Sequence, residues 1–472
     1  MPHELLLFNT LGRRLEPLRP IVPDEVRIYT CGPTVYNEIH IGNLRTFLFQ
    51  DLLRRSLRYL GYRVAQVMNL TDVEDKTIEG AQKAGVSLAA YTEPFVKTFL
   101  RDLDALHIER VESFPRATEH VPEMIDLIAK LVDKGYAYES DGSVFFSIAK
   151  DPDYGKLSGF DLDQARRGER VASDEYGKDD VRDFVLWKAV KPSEPSWDSP
   201  WGPGRPGWHI ECSAMSMKYL GETFDVHCGG VDLIFPHHEN EIAQSESATG
   251  KPFVHTWLHG EHLIVDGHKM SKSLGNQHTL PDLLARGCSA RALRYLFLSV
   301  HYRQKLNFTF ESLEGAAGAL RRVDEMRFRL QHAAERGEPD PRLAEAAERL
   351  RSDFAAGLAD DLNVAVALAA LFGFVKEVNV AIEEGRIGTG DRQRVLDALA
   401  DVDRVLGVLD PAEWPEGQTR EEDEAEIERL VAERNTARGR RDFAASDRIR
   451  DELAARGIVL EDTPQGTRWK RK

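Results

Sequence analysis

The stretch CGPTVYNEIHIGNLR, residues 31–45, decides how the first part of this 472-residue chain folds. It follows the apolar run VRIYT at 26–30, which predicts a strand that ends at the Cys-Gly-Pro turn. After Asn43, apolar residues recur at helical spacing as far as Gly61, and RVAQVMNL at 63–70 predicts a second strand. A strand, a helix and a strand within about forty residues form a βαβ unit, so we expect a parallel sheet that can bind a nucleotide.

The composition is that of a globular protein, with 42% hydrophobic residues, 30% charged residues and a net charge of −16. No run of about 18 apolar residues predicts a membrane span, and the first residues lack a signal-peptide layout, so we expect a cytoplasmic protein without membrane contact. The four cysteines are far apart and form no CxxC pair, which argues against a disulfide framework. The net charge argues against general polyanion binding, although residues 434–456 and the tail 468–472 are locally basic.

The run HIGN places His40 and Gly42 between the first strand and the amino end of the helix. Helix starts expose unpaired N–H groups and a partial positive charge, and a glycine allows close approach to the backbone, so an anion such as a phosphate can bind there. His40 and Asn43 can donate hydrogen bonds to phosphate oxygens. Taken alone, so short a match is equally typical of an ordinary turn.

A second run, GHKMSKSLGN at 267–276, sets Lys269 and Lys272 among small hydroxyl residues in a predicted loop. Such a loop can close on a triphosphate and neutralise the charge that develops on departing pyrophosphate. The alternative is a solvated surface loop. The two runs together are far more specific than either one alone.

Four residues scattered along the sequence form a candidate metal site: Cys31, Cys212, His237 and Glu241. His237 and Glu241 are four apart in a predicted helix and therefore share a face. Two thiolates, an imidazole and a carboxylate suit Zn²⁺. The spacing alone leaves open that the cysteines are ordinary small core residues.

Nearby residues offer other interpretations of this region. The sequence HHENE suggests a metalloprotease helix, but HExxH beginning at His238 requires histidine where the chain has Ile242. His227 and Cys228 precede HHENE and could reach the metal. We expect instead that His227 shapes the site and that Cys228 packs as a small residue.

Six motifs together make the chain resemble the cysteinyl-tRNA synthetases, a family of class I aminoacyl-tRNA synthetases. They are CGPTVYN, MNLTDVEDK, DFVLWK, PGWHIECSAM, GGVDLIFPHHENEIAQ and KMSKSLGN, and they occur in that family's order across the first 280 residues. The resemblance implies an α/β fold: a Rossmann-like parallel-sheet catalytic domain with an insertion, then an α-helical bundle and a small carboxy-terminal α+β domain. One departure is Asn43, where the family often has histidine.

The resemblance also implies ligands and residue roles. The substrates are ATP with Mg²⁺, L-cysteine and tRNA(Cys), and one Zn²⁺ per chain selects the cysteine thiolate; the family suggests a monomer. The implied residues are Cys31, Cys212, His237 and Glu241 for zinc; His40, Gly42, Asn43, Lys269 and Lys272 for ATP, with all but Gly42 acting in catalysis; Gly32, Thr71, Trp208 and Asp232 for cysteine, with Asp232 near its ammonium or the adenosine; and Arg468 and Trp469 for tRNA. Taken singly, the cysteine-site residues could also be a turn glycine, a helix cap, a core aromatic and a second cap.

The predicted domain organisation follows from the same motifs. A helix at 120–134 precedes irregular polar sequence and the Pro/Trp/Gly-rich stretch 191–208, which we interpret as an insertion with mobile connections. The predicted segments are 1–118 and 205–262 for the two halves of the catalytic domain, 119–204 for the insertion, 263–320 for the KMSKS loop and stem-contact helices, 321–412 for the bundle, 413–424 for a linker and 425–472 for the anticodon-binding domain.

Two other functions remain open at this point. A cysteine ligase acting on a small amino sugar shares the catalytic motifs and the zinc site but generally lacks an anticodon-binding module. A zinc-binding module that recognises RNA without catalysis would not need both HIGN and KMSKS. The basic carboxy-terminal region and the paired motifs favour the synthetase.

Overall fold

The computed structural model describes residues 4–160, 183–271, 274–440, 442–455, 458–463 and 466–471. The chain divides into two compact units, Met1–Val408 and Leu409–Lys472. The other domain boundaries given above stay predictions.

The described strands of the first unit are β1 (Leu6–Asn9), β2 (Arg14–Pro17), β3 (Glu25–Thr30), β4 (Arg63–Met68), β5 (Ala137–Ser140), β6 (Ser143–Phe146), β7 (Phe184–Ala189), β8 (Gly204–Pro206), β9 (Phe224–Gly230), β10 (Val254–Gly260), β11 (Leu263–Val265), β12 (His268–Lys269) and β13 (Leu306–Phe308). Its described helices are α1 (Ile41–Tyr59), α2 (Asp75–Ala84), α3 (Leu88–Ala105), α4 (Val121–Asp133), α5 (Trp208–Leu220), α6 (Glu239–Thr249), α7 (Leu280–Ala285), α8 (Ala290–Leu298), α9 (Phe310–His332), α10 (Pro341–Ala359), α11 (Val364–Glu383) and α12 (Asp391–Leu406).

A four-stranded parallel sheet forms the centre of the first unit, in the order β10-β9-β3-β4. Ile28 of β3 pairs with Val226 of β9 on one side and with Gln66 of β4 on the other. The β3–α1–β4 crossover is the βαβ unit expected from residues 26–70, so the prediction of an α/β parallel-sheet fold is confirmed. In such sheets, ligands bind beyond the carboxyl ends of the strands, where Cys31 follows β3 directly.

Helix α1 begins where the chain leaves the sheet, because His40 and Asn43 form a reciprocal cap. The His40 Nδ1 atom accepts a hydrogen bond from the Asn43 N–H (3.3 Å), and Asn43 Oδ1 accepts one from the His40 N–H (3.2 Å). Two of the unpaired donors at the helix start are thereby satisfied. The helix ends at Tyr59, just before Gly61, whose φ of 99° favours glycine.

The insertion is more regular than its sequence predicted. The strands β5 to β8 form an antiparallel sheet with Phe145, Phe146 and Trp187 fully buried, which corrects the expectation of irregular structure there. The overlooked signal is the dipeptide Asp141–Gly142, whose φ angles of 51° and 75° make the tight turn between β5 and β6. Residues 161–182 lie outside the described part of the insertion.

Beyond β13 the first unit consists of the four consecutive helices α9 to α12, as the helical periodicity predicted. Among the described helices, α11 alone has the length and apolar composition of a membrane span. Its apolar stripe, with Ala367, Leu371 and Val378 fully buried, packs in this bundle.

The second unit contains α13 (Pro415–Gly439), α14 (Phe443–Ala455) and an antiparallel hairpin of β14 (Ile458–Thr463) and β15 (Gly466–Arg471). It is the small α+β domain expected from the sequence, with its own core around Leu430 and Leu453. The predicted linker 413–424 is corrected, because α13 already begins at Pro415. Proline is favourable at a first helical position, and the charged residues that follow, which suggested a linker, are also good helix formers.

A buried arginine joins three parts of the first unit. Arg294 on α8 is fully buried and donates to Asp51 Oδ2 of α1 (2.8 Å), to the Leu406 carbonyl at the end of α12 (2.6 Å) and to the Leu106 carbonyl after α3 (2.9 Å). Its removal would leave a buried carboxylate and several carbonyls short of donors. The free-energy cost of burying these acceptors would then no longer be offset by hydrogen bonds and charge pairing.

We therefore expect Arg294→Met to lower the free energy of unfolding by about 3 kcal/mol. The matched control is Arg58→Met, because the Arg58 side chain is 48% exposed and pairs with Glu109 at the surface. We expect this control to cost less than about 1 kcal/mol. Urea unfolding followed by tryptophan fluorescence measures both variants, and equal losses would contradict this account.

Candidate active site and metal centre

The metal-ligating side chains predicted from the sequence converge at the carboxyl end of the central sheet. Cys31 follows β3, Cys212 lies on α5, and His237 and Glu241 lie at the turn Ile234–His238 and the start of α6. One donor atom from each lies within 4.8 Å of the others, and all four residues are buried. Residues separated by up to 210 positions thus meet in one pocket.

The distances within this cluster are those of a compact site. The sulfurs of Cys31 and Cys212 are 3.9 Å apart, and the Cys31 sulfur lies 4.0 Å from Glu241 Oε1. His237 Nε2 lies 3.0 Å from the same carboxylate oxygen. Tetrahedral Zn²⁺ with bonds of 2.0–2.3 Å separates its ligand atoms by about 3.3–3.8 Å, so the donor set fits such an ion in both chemistry and size.

Burial and mutual charge determine the protonation of the cluster. Burial raises the pKa of the Cys31 thiol, and Cys212 and Glu241 raise it further. Burial also opposes ionisation of Cys212, but the hydrogen bond from Cys31 and the nearby His237 outweigh it and lower the pKa. Without a metal, one proton therefore stays on Cys31 while Cys212 is a thiolate.

The same reasoning applies to the other two ligand candidates. Burial disfavours the Glu241 carboxylate, but His227 and His237 outweigh it and lower the pKa to about 2. Burial disfavours the His237 imidazolium, but Glu241 and Cys212 outweigh it and raise the pKa to about 10. The metal-free cluster at neutral pH thus contains two buried anions, whose charge one protonated imidazole offsets only in part.

A second donor set overlaps the first. It includes His227, which was expected only to shape the site, and His238, which was not predicted from the sequence. It consists of Cys31, His227, His238 and Glu241. His227 Nε2 lies 2.9 Å from Glu241 Oε2, and His238 Nε2 lies 3.3 Å from the Cys31 sulfur. Cys228 belongs to neither set and is fully buried, and burial raises the pKa of its thiol.

Further histidines surround the cluster. His209 Nδ1 lies 2.9 Å from His237 Nδ1, and His259 Nε2 lies 2.8 Å from His238 Nδ1. The sequence offered only weak signals for them: His209 lies beside Trp208 in a motif, and His259 lies at the carboxyl end of β10. Each outer histidine contacts Nδ1 of an inner histidine and so fixes the orientation of the inner ring, as outer partners of metal-binding imidazoles do.

Three of the predicted cysteine-site residues lie around the metal cluster. The Gly32 N–H donates to Asn69 Oδ1 (3.0 Å), and a Cβ at Gly32 would lie 1.8 Å from the Asn69 carbonyl oxygen, so only glycine fits. The Thr71 hydroxyl donates to Glu211 Oε2 (3.1 Å) and is no helix cap, because Glu74 caps α2. Trp208 is 37% exposed, so it is not a core residue, and its ring stacks on His237 with centroids 4.2 Å apart.

Asp232, the fourth predicted cysteine-site residue, is exposed after β9. Its charge acts on His40, where burial lowers the imidazole pKa and Asp232 partly offsets that effect. Asp232 is therefore close enough to the HIGN motif for its charge to act on His40.

The HIGN and KMSKS motifs also meet. A Cβ on Gly42 would lie 2.5 Å from Met270 Cε, so the methionine of KMSKS packs against the glycine of HIGN. The carbonyl of His278, beyond the loop, accepts a hydrogen bond from the Ile41 N–H (2.9 Å) at the start of α1. Lys269 is exposed on β12, whereas Lys272 lies outside the described residues.

The predicted tRNA contacts lie in the second unit. Arg468 and Trp469 are consecutive in β15, where they pair with Glu461 and Leu460 of β14. Trp469 is half-buried and packs against the core of that unit. Part of the Trp469 ring surface is therefore buried against that core.

Comparison with known proteins gives three matching family models that cover most of the chain. The model described as tRNA synthetases class I (C) catalytic domain matches residues 17–318. The DALR domain model matches residues 353–410, and the cysteinyl-tRNA ligase anticodon binding domain model matches residues 421–469.

Similar full-length proteins are known from several bacteria. Cysteine–tRNA ligase of Solibacter usitatus (strain Ellin6076) is 49% identical over 468 residues, covering 99% of this chain and 100% of that protein. Cysteine–tRNA ligase of Chlamydia muridarum (strain MoPn / Nigg) is 47% identical over 486 residues, with coverage of 99% and 100%.

Solved structures resemble the fold at low sequence identity. Mycobacterium tuberculosis methionyl-tRNA synthetase in complex with methionyl-adenylate has a TM-score of 0.57 and 17% identity, covering 82% of this chain and 90% of that one. The ternary LeuRS–tRNA–LeuAMS complex of Agrobacterium radiobacter K84 has a TM-score of 0.59 and 12% identity, covering 83% and 85%. These matches support the fold alone.

The first prediction from this geometry concerns metal content. We expect the purified protein to retain a divalent metal through gel filtration, and Cys31→Ala and Cys212→Ala each to lose it, because each removes a buried soft ligand. The matched control is Cys288→Ala, since Cys288 lies outside both donor sets. Plasma mass spectrometry measures the metal, and equal metal content in all three variants would contradict the assignment.

The second prediction concerns pH. The metal must displace the protons whose loss from Cys31 and His237 is disfavoured in the metal-free cluster. We therefore expect metal affinity to rise with pH through neutrality, by about a hundredfold per pH unit for two protons released. Competition with a chromophoric chelator measures the slope, and a pH-independent affinity would rule out this protonation scheme.

Proposed function

The chain belongs to the cysteinyl-tRNA synthetase family and is a class I cysteine–tRNA ligase, and we propose that its buried Cys31/Cys212/His237/Glu241 cluster binds one zinc ion that selects the substrate thiolate. The recognition made from the sequence motifs is thereby confirmed. The observation that carries the zinc proposal is the convergence of two sulfurs, an imidazole and a carboxylate in one buried pocket of tetrahedral dimensions.

Selection of cysteine is the physical reason for such a site. Cysteine and serine differ by one atom, and an apolar pocket separates near-isosteres by only about a hundredfold. When bound, zinc supplies a soft Lewis acid to which a thiolate sulfur bonds well and a serine hydroxyl bonds poorly at neutral pH. Under this proposal no separate editing domain is required.

The chain's own residues hold the rest of the amino acid. We propose that Gly32, Thr71 and Trp208 line the pocket, because they lie around the cluster and are fixed by the contacts described above. Trp208 covers His237 and is partly exposed, which suits a residue that shields a bound ligand from water. The charge of Asp232 acts on His40, so we propose that this carboxylate lies near the cysteine ammonium or the adenosine.

The nucleotide site is proposed at the amino end of α1. His40, Gly42 and Asn43 present a helix start to the ATP phosphates, and Lys269 and Lys272 neutralise the charge of departing pyrophosphate. Asn43 uses its side-chain oxygen to cap the His40 N–H, which leaves its amide N–H groups for a phosphate. Mg²⁺ accompanies ATP in this proposal.

The reaction then proceeds in two steps by positioning and charge stabilisation, without a covalent enzyme nucleophile. The cysteine carboxylate attacks the α-phosphorus of ATP, forming cysteinyl-adenylate as pyrophosphate leaves. A terminal ribose hydroxyl of tRNA attacks the cysteinyl carbonyl and AMP leaves. We propose that Arg468 and Trp469 contact the tRNA through charge and stacking, and that the enzyme is a cytoplasmic monomer.

The two other functions are not favoured. A cysteine ligase for a small amino sugar has no use for an anticodon-binding domain, and residues 421–469 match such a domain. A non-catalytic module does not account for the full-length similarity to cysteine–tRNA ligases.

We expect cysteine-dependent ATP–pyrophosphate exchange and charging of tRNA(Cys), with cysteine preferred over serine by at least about 10⁴-fold in kcat/KM. Cys212→Ala should lose this preference together with its metal, whereas Cys288→Ala should keep both. Exchange without charging would favour the amino-sugar ligase. The absence of exchange with any amino acid would overturn the catalytic assignment, and retained preference in metal-free enzyme would overturn the zinc proposal.

A further inference from the structure

Arg45 lies two residues beyond the HIGN motif on α1 and is only 5% exposed. Its guanidinium donates to four backbone carbonyls: those of Glu261 (2.8 Å), His262 (2.6 Å), His301 (3.4 Å) and Gln304. One planar group thus joins α1 to two other segments of the chain.

This arginine differs from the other buried arginines of the first unit in lacking a carboxylate partner among the described ion pairs. Arg294 pairs with Asp51 and Arg291 pairs with Asp324, whereas the described hydrogen bonds of the Arg45 guanidinium all go to backbone carbonyls. Burial lowers the pKa of Arg45 to about 10 and the nearby Glu261 carboxylate partly offsets this effect, so the group remains charged at neutral pH. A buried cation that is hydrogen-bonded to backbone carbonyls depends on their geometry.

The four carbonyls belong to the two connections that lead into neighbouring strands. Residues 261–262 precede β11, and residues 301–304 precede β13, which pairs with β11 in parallel. Strand β11 then turns into β12, which ends at Lys269 of KMSKS. Arg45 therefore fastens α1 to the base of the hairpin that carries the KMSKS loop.

The same helix also meets the far end of this hairpin. Met270 packs against Gly42, and the Ile41 N–H donates to the carbonyl of His278 beyond the loop. The hydrogen bonds from Arg45 thus hold the base of the hairpin, and these contacts hold its far end.

We propose that Arg45 is a positioning residue for adenylate formation, which fixes the spacing between the HIGN helix start and the KMSKS hairpin. The inference rests on the phosphate roles proposed above for these two motifs. It predicts a defect in the step that releases pyrophosphate, because only that step needs both motifs at one triphosphate. The described hydrogen bonds of Arg45 involve none of the residues proposed to bind zinc or cysteine, so we expect cysteine binding and metal binding to be unaffected.

The test compares Arg45→Lys and Arg45→Ala with Arg291→Lys. Lysine keeps the charge but cannot span four carbonyls as the planar fork does. Arg291 is a matched control, since it is 7% exposed and its described hydrogen bonds go to Asp324 and the Val408 carbonyl, not to α1. We expect both Arg45 variants to slow cysteine-dependent ATP–pyrophosphate exchange by about 100-fold, as a misplacement of about 1 Å does.

Three further measurements separate positioning from general destabilisation. The KM for cysteine, the metal content and the single-turnover transfer from isolated cysteinyl-adenylate to tRNA should match the wild type. A cavity bordered by Arg45, Phe49 and Tyr302 adjoins the Arg45 side chain. In Arg45→Ala, free guanidinium well below denaturing concentrations should therefore occupy the vacated position and restore exchange. Ammonium should not restore it, because it lacks the fork of donors.

Equal losses in both reaction steps, normal exchange in Arg45→Lys, or an equal defect in Arg291→Lys would each overturn the inference. If Arg45→Ala does not fold, Arg45→Lys provides the test. A slower adenylate formation with normal transfer to tRNA supports the inference, and equal losses in both steps overturn it. Wild-type enzyme without any exchange would instead refute the proposed function, so the two failures are distinguishable.

Discussion

The constraint on which the site depends is the balance of charge in a pocket closed to water. Cys31, Cys212, His237 and Glu241 are each 7% exposed or less, and the cluster favours a thiolate and a carboxylate side by side. Buried anions require a cation, and in the metal-free state the proton on His237 is a partial substitute. A dication that displaces two protons satisfies all four donors at once, which explains why so costly an arrangement persists in the core.

The parallel sheet makes this convergence geometrically simple. Strands β3, β4 and β9 run in the same direction, so the residues that follow them, Cys31, Asn69 and Val231, emerge at one edge. Helix α1 begins at that edge and carries HIGN, while Arg45 ties the same helix to the base of the KMSKS hairpin. The proposed thiol pocket and the proposed phosphate site are therefore neighbours, because both form at adjacent strand ends.

Much of this organisation was predictable because it rests on local patterns. The βαβ unit follows from apolar periodicity, and the shared face of His237 and Glu241 follows from their spacing of four. The order of the motifs identified the family. The surrounding histidines were less accessible, because His238, His259 and His209 acquire their roles only from tertiary proximity. The antiparallel sheet of the insertion and the helix at 415–424 were missed because polar, proline-containing sequence was interpreted as irregular. Arg45 gave no signal at all, since its partners are backbone carbonyls more than 200 residues away.

The most direct test of the central claim is X-ray absorption at the zinc edge of the purified enzyme. With no amino acid bound, the account predicts two sulfur ligands together with nitrogen and oxygen. Addition of cysteine should raise the count to three sulfurs at about 2.3 Å, and addition of serine should leave it at two. An unchanged sulfur count with saturating cysteine, or the absence of a metal–sulfur shell, would contradict the claim that a metal ion in this buried cluster selects cysteine by binding its thiolate.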